Sequence, residues 1–243
     1  AEDFIRTVEL LSEYGYQEVN LNLGCPSKTV VTKGCGAGFL DRPEELERFL
    51  DEIFAKCNIQ ITVKTRLGME DASEFPELMK LYNKFPMKEL IIHPRVQKDF
   101  YKNTPNLEMF AEAFAMSTNP VCYNGDIFCV EDHQRICERF PELDAVMSGR
   151  GTLTNPALAR EIRGGQALTK AELRKFHDLV YHTYRAEVSG DRNVLFKMKE
   201  LWFYMGPLFA NNKKYLKKIK KSEKCIVYES AVAELFSNEE LIL

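Results

Sequence analysis

The sequence predicts an α/β fold: part of a TIM-type (β/α)8 barrel, with about five strand–helix units present, followed by an all-α C-terminal domain. Three observations carry this. Strand-like stretches end near residues 24, 65, 94, 124 and 149, with helical stretches between them. The spacing, about 25 to 40 residues, suits the crossover that parallel strands require. From Thr169 the rhythm stops, and apolar residues recur only at helical spacing. Five units against the eight of a closed barrel leave two arrangements: an open, doubly wound sheet, or a barrel whose other units, about three, precede Ala1.

Each element has its own signal. Phe4, Val8 and Leu11 recur at helical spacing from Glu2 to Tyr14, and Gly15 stands where a left-handed cap would sit. The first strand alternates Val19, Leu21 and Leu23 with Asn20, Asn22 and Gly24, and should end at Cys25 because Pro26 has no amide donor. A helix over 44–57 carries Leu46, Phe49, Leu50 and Ile53 as its inner stripe. The strand over 59–66 sets Ile59, Ile61 and Val63 on one face and Thr62, Lys64 and Arg66 on the other. Then follow a helix over 75–85, a strand over 89–93 presenting Ile91 and His93, a helix over 107–115 and a strand over 120–124. A helix over 131–140 and a strand over 145–148, closed by Gly149-Arg150-Gly151, complete the repeats. Thr169 and Glu172 form a capping box that opens the helical region. Gly164-Gly165 is the expected joint between residues 1–164, the N-terminally incomplete barrel, and residues 165–243, the helical domain.

The 243 residues, 45% of them hydrophobic, can bury a sizeable core. No apolar run approaches the length of a membrane span and no secretory leader is visible, so a cytoplasmic location is expected. Seven cysteines without a Cys-x-x-Cys pair read as reduced thiols, and no metal site is expected. The 33 basic and 36 acidic residues divide unequally: 19 and 26 through Gly164, 14 and 10 beyond it, or about −7 and +4.

The polar faces of these strands point to chemistry. Two asparagines on a buried strand are costly unless they meet a polar ligand, so Asn20 and Asn22 imply one. Cys25 falls at the strand's carboxyl edge, where barrel enzymes keep their reactive groups, beside the glycines Gly34, Gly36 and Gly38. Lys64 and Arg66, His93 and Arg95, and Asn124, Gly125 and Asp126 fall at the carboxyl ends of the following strands. The loops at Asn124-Gly125-Asp126 and Ser148-Gly149-Arg150-Gly151 let backbone amides approach a phosphate, with Arg150 as counter-charge. Inward Asn, Lys and His beside such a handle suit a flavin better than a sugar phosphate. Residues 213–224 hold seven lysines and one glutamate, a row suited to a phosphate backbone, with Lys217, Lys218, Lys220 and Lys221 at its centre. Trp202, Phe203 and Tyr204 read as core.

The ordered set NLNLGCPSKTV, KGCGAGFL, VKTRLG, IIHPR, YNGDI and SGRG, followed by a helical tail, resembles the tRNA-dihydrouridine synthases over essentially the whole chain. The resemblance implies an FMN-containing barrel oxidoreductase, reloaded by NADPH, that reduces the C5–C6 bond of selected uridines in tRNA, with a helical tRNA-binding domain and a monomeric state. By motif position Cys25 is the proton donor, and Asn22, Arg66 and Arg95 contact substrate. Lys64 and His93 contact the flavin, while Asn124, Gly125, Asp126, Gly149 and Arg150 hold its ribityl and phosphate side. Gln97, in VQKDFYKN, departs from the family's usual position for a glutamine in this loop. A different FMN barrel acting on a small substrate, or a tRNA-binding remnant without catalysis, are the competing readings; the basic tail weighs against the first.

Overall fold

The computed structural model describes residues 1–242. Its elements, in chain order, are α1 (Glu2–Glu13), β1 (Glu18–Leu23), α2 (Lys28–Val31), α3 (Pro43–Lys56), β2 (Gln60–Arg66), α4 (Phe75–Tyr82), β3 (Glu89–His93), α5 (Leu107–Met116), β4 (Val121–Asn124), α6 (Val130–Arg139) and β5 (Ala145–Met147). The rest is helical: α7 (Arg150–Thr154), α8 (Leu158–Ile162), α9 (Lys170–Glu187), α10 (Asp191–Met205), α11 (Lys213–Lys221) and α12 (Cys225–Asn238). The chain forms two compact units, one of residues 1–126 with 135–147, the other of residues 127–134 with 148–242.

In the first unit the five strands are all parallel and lie side by side in sequence order, β1-β2-β3-β4-β5. A doubly wound sheet reverses its strand order at a switch point, whereas a barrel adds strands in succession, so the order is that of a barrel arc. One face of the sheet is hydrocarbon. Val63, Leu90, Ile92 and Val121 meet the inner stripes of the helices, with Leu46, Leu50 and Ile53 of α3 fully buried and Phe75, Met79 and Tyr82 of α4 beside them. Phe110 of α5 sets its ring edge-on to Tyr123, centroids 4.9 Å apart, and to Phe140 at the same distance.

Strand β1 ends two residues earlier than Pro26 alone implies. The Asn22 carboxamide oxygen takes the amides of Gly24 and Cys25, both at 3.0 Å, and draws them out of the sheet ladder. The short helix α2 was not foreseen; a four-residue turn carries too few apolar residues for a period.

In the second unit, one core gathers Leu173 and Tyr181 of α9, Leu195, Met198 and Trp202 of α10, Tyr215 and Ile219 of α11, and Tyr228, Val232 and Leu235 of α12. Ala157 and Leu168, on either side of Gly164-Gly165, belong to it too. The capping box forms as read: Thr169 Oγ1 accepts from the Glu172 amide at 3.2 Å, and the Glu172 carboxylate accepts from the Thr169 amide at 2.9 Å. A directional chain of bonds crosses this core. The Trp202 indole donates to the Tyr228 hydroxyl at 2.7 Å, that hydroxyl meets His177 Nε2 at 2.6 Å, and His177 Nδ1 meets Asp178 at 2.8 Å, itself held by Arg174. Trp202 is core, but Phe203 is 75% exposed and Leu179 of α9 is 68% exposed. Both sit on the solvent side of a helix whose other stripe fills the core. Among the described residues no helix is long and apolar enough to cross a membrane.

Candidate active site

The second face of the sheet, in the first unit, is polar. Residues level with one another in a parallel sheet point the same way, and the register sets Asn22 beside Lys64, Lys64 beside Ile91, and Ile91 beside Cys122. One step toward the carboxyl edge, Arg66 pairs with His93, and Asn124 with Met147. Asn20 reaches across to Thr62 Oγ1 at 2.8 Å. The asparagines, the lysine and the histidine expected around a ligand therefore share one face.

Cys25 stands just beyond the end of β1, half-buried. Its loop is held from several sides. Asn22 caps it from below, Ala37 donates its amide to the Cys25 carbonyl at 3.0 Å, and Gln97 Nε2 reaches the Pro26 carbonyl at 2.9 Å. Gly36, at φ +55°, lies so close that a Cβ there would come within 2.9 Å of Cys25 Cβ. A side chain at 36 would push the thiol away, which gives the glycine in the Lys-Gly-Cys-Gly stretch a steric reason.

Arg66 and Arg95 hold the site from within. Arg66 is 1% exposed and donates to three carbonyls: Gly24 at 2.8 Å, Val96 at 3.0 Å and Phe100 at 2.9 Å. It thereby ties the loops after β1 and β3 to the end of β2. Arg95, 2% exposed, grips the Asp126 carboxylate with both terminal nitrogens, meets His93 Nε2 at 2.9 Å and donates to the Asn103 carbonyl at 2.5 Å. A guanidinium only donates, so His93 Nε2 is the acceptor and the ring proton sits on Nδ1. Most of the donors of these two arginines are engaged by protein acceptors, which anchors the surrounding loops, and Asp126 is Arg95's counter-ion.

Lys64 is different. Burial, and then the charge of Arg66, pull its amine down to about 8, and no carboxylate lies within ion-pair distance of it among the described residues. A half-buried, uncompensated ammonium on the polar side of a sheet suits a group that carries or gains negative charge, as a flavin ring does when reduced. Cys122, two strands further, is pushed up to about 12 by burial and stays a thiol. Asn124 donates its side-chain amide to the Met147 carbonyl at 2.8 Å. At Gly125 a Cβ would meet the Tyr123 hydroxyl at 2.7 Å, so the Tyr123 side chain packs where a larger residue would need room. These residues fit a flavin: a cation, a neutral imidazole and amides on one side of the sheet.

Gly149 and Arg150 belong to the second unit. Gly149 is exposed and precedes α7, and Arg150 lies over the Phe128 ring, 5.3 Å from its centroid. Gly151 is obligatory, since a Cβ would come within 1.9 Å of the Ile127 carbonyl oxygen. Lys217, Lys218, Lys220 and Lys221 are all exposed on α11; Lys218 is paired with Glu234 at 2.5 Å.

Tyr101 was missed from the sequence. Its ring stacks on His93, centroids 6.1 Å apart, and lies under the Arg66 guanidinium at 5.5 Å. The signal was an aromatic pair, Phe100-Tyr101, among charged residues in a stretch with neither helical nor strand period.

A family model described as dihydrouridine synthase matches residues 1–238. Among curated proteins, the chain is 35% identical over 156 residues to tRNA-dihydrouridine(16) synthase of Cupriavidus necator, covering 63% of this chain and 47% of that protein. It is 35% identical over 166 residues to tRNA-dihydrouridine(16) synthase of Yersinia pestis, covering 67% and 52%. It is 26% identical over 160 residues to tRNA-dihydrouridine synthase B of Pasteurella multocida, covering 65% and 48%. The chain spans about half the length of the curated relatives it matches. With the match running through the whole polar face and on into the helical region, the chain belongs to the dihydrouridine synthase family.

Proposed function

We propose that this chain carries the reducing site of a tRNA-dihydrouridine synthase, an oxidoreductase that saturates the C5–C6 bond of a uracil in tRNA, with FMN as cofactor and NADPH as reductant. The observation that carries the reading is the polar sheet face, with Lys64 uncompensated upon it and Cys25 at its rim.

Bound FMN, once reduced, supplies hydride to uracil C6. Cys25 holds a proton on Sγ for C5, so the thiol acts as general acid, a role that contributes about 100- to 10,000-fold. Asn22 commits its oxygen to the Gly24 and Cys25 amides, which leaves the carboxamide nitrogen facing the site as a donor to the base. Lys64 places positive charge beside the cofactor, and His93, held by Arg95 with its proton on Nδ1, presents a neutral ring. Asn124 and Gly125 are assigned to the ribityl side, and Gly149 and Arg150 to the phosphate, on motif position. The catalytic part is assigned to residues 1–164 and the tRNA-binding part to 165–243, where the exposed lysines of α11 meet the phosphate backbone. A uridine must leave its stack to reach such a site, at a cost of a few kcal/mol that backbone contacts offset.

The experiment is reconstitution. Purified chain is incubated with FMN and NADPH, and bleaching of the flavin absorbance is followed, then its recovery on adding unmodified tRNA. Recovery with tRNA and not with free uridine supports the reading. Recovery with a free pyrimidine favours a small-substrate flavoenzyme, and tRNA binding without any flavin uptake favours a non-catalytic role.

A further inference from the structure

Helix α10 buries Val194, Leu195, Met198, Leu201, Trp202 and Met205. Its outward stripe should be polar, yet Phe196 and Phe203, seven residues apart and hence on one line of the helix, are 70% and 75% exposed. Both line a groove of about 660 Å³ between α10 and α11, together with Trp202, Glu200 and Lys220. The groove has its shape because Gly206 lacks a side chain: a Cβ there would come within 2.7 Å of Leu216, which forms part of the wall.

Lys199 and Lys220 line the groove, with Glu200 beside them. From Lys220 a cationic row continues along α11: Lys213, Lys217 and Lys220 follow one another at i, i+4 and i+7, all exposed, with no carboxylate within ion-pair distance among the described residues. Exposed aromatic faces beside a row of uncompensated cations are the two halves of a single-stranded nucleic-acid site: rings that stack on bases, charges that track phosphates. An apolar peptide would leave the lysines without counter-charge, and a second copy of this chain docked two-fold would set the lysine row against itself. Glu200 offers an acceptor to the N–H edge of a stacked base.

We propose that this groove is a stacking platform for unpaired nucleotides of the bound RNA, whose phosphates run along α11. The inference rests on the RNA-binding reading of α11 and adds a base-dependent contact to it. Both phenylalanines are solvent-exposed, so Phe196→Ala and Phe203→Ala leave the fold intact, which an unchanged far-UV spectrum checks. The probes are a labelled twelve-residue oligouridylate, read by anisotropy, and heparin, a polyanion without bases; Trp202, the only tryptophan, reports from the groove wall.

The expected result is that each phenylalanine variant binds oligouridylate about tenfold more weakly and heparin as before, and that oligouridylate, not heparin, changes Trp202 emission. Unchanged oligouridylate affinity in both variants, with Lys217→Ala and Lys220→Ala weakened, would overturn the platform and leave the electrostatic reading standing. Binding of neither polyanion would remove the RNA reading itself. A dimer that Phe203→Ala converts to monomer would assign the groove to a second copy and overturn the proposal.

Discussion

Replacing Arg95 with methionine keeps most of the side chain's volume and removes its charge. In the folded chain that guanidinium satisfies both Asp126 oxygens, His93 Nε2 and the Asn103 carbonyl, and it is 2% exposed. Deleting one partner of a buried ion pair costs about 3–5 kcal/mol. Here the Asp126 side chain is 30% exposed, so water takes over part of the task, and about 2–3 kcal/mol is expected. Removing both partners, Arg95→Met with Asp126→Leu, should cost less than the two single changes together, with a coupling of about 1 kcal/mol or more. Urea unfolding followed by far-UV circular dichroism at pH 7 gives all three values. The variant should also lose the fixed His93 tautomer, visible in the ring-nitrogen chemical shifts. A loss below about 1 kcal/mol with no coupling, or an unchanged His93 spectrum, would refute the view that Arg95 organises this rim.

Three further outcomes follow from other groups. Because the free Lys64 amine titrates at about 8, FMN affinity should fall as pH rises through that value, and Lys64→Met should bind FMN about tenfold more weakly at pH 7 and show no such step; flavin fluorescence titration reads both, and a flat wild-type profile between pH 7 and 9 would contradict the role. Changing Lys217, Lys218, Lys220 and Lys221 to alanine should weaken tRNA binding and lower the slope of log affinity against log salt by about 2 to 3. The slope should not reach the four-contact value, because Lys218 is already paired with Glu234. His177, whose pKa burial lowers to about 4, is neutral in the folded core; as pH falls from about 6.5 toward 4 the unfolded chain takes the proton first, so stability drops, by up to roughly 3 kcal/mol. His177→Asn should flatten that part of the pH–stability curve, and an unflattened curve would place the acid sensitivity elsewhere.

The strands were legible because two surroundings, hydrocarbon on one face and polar side chains on the other, impose a period of two. Asn20/Asn22, Thr62/Lys64/Arg66 and Ile91/His93 each showed it, and the register sets them side by side. The placing of Cys25 was legible from Pro26 and the spaced glycines. Roles were harder to read. For Arg66 and Arg95, only the paths of the β1 and β3 loops reveal the carbonyls and the carboxylate that take up most of their donors. Phe203, next to the buried Trp202, illustrates the same limit at a helix surface: adjacent residues lie about 100° apart around the axis, so a run of aromatics divides between core and solvent.

The proposed delivery of a proton from Cys25 to a uracil reduced at this polar face is read by single-turnover oxidation of the reduced flavin by tRNA in Cys25→Ala, with dihydrouridine quantified by mass spectrometry of the digested tRNA. Flavin binding and reduction by NADPH should be undiminished, with dihydrouridine formation slowed at least about 100-fold. Turnover at the wild-type rate in that variant would contradict it.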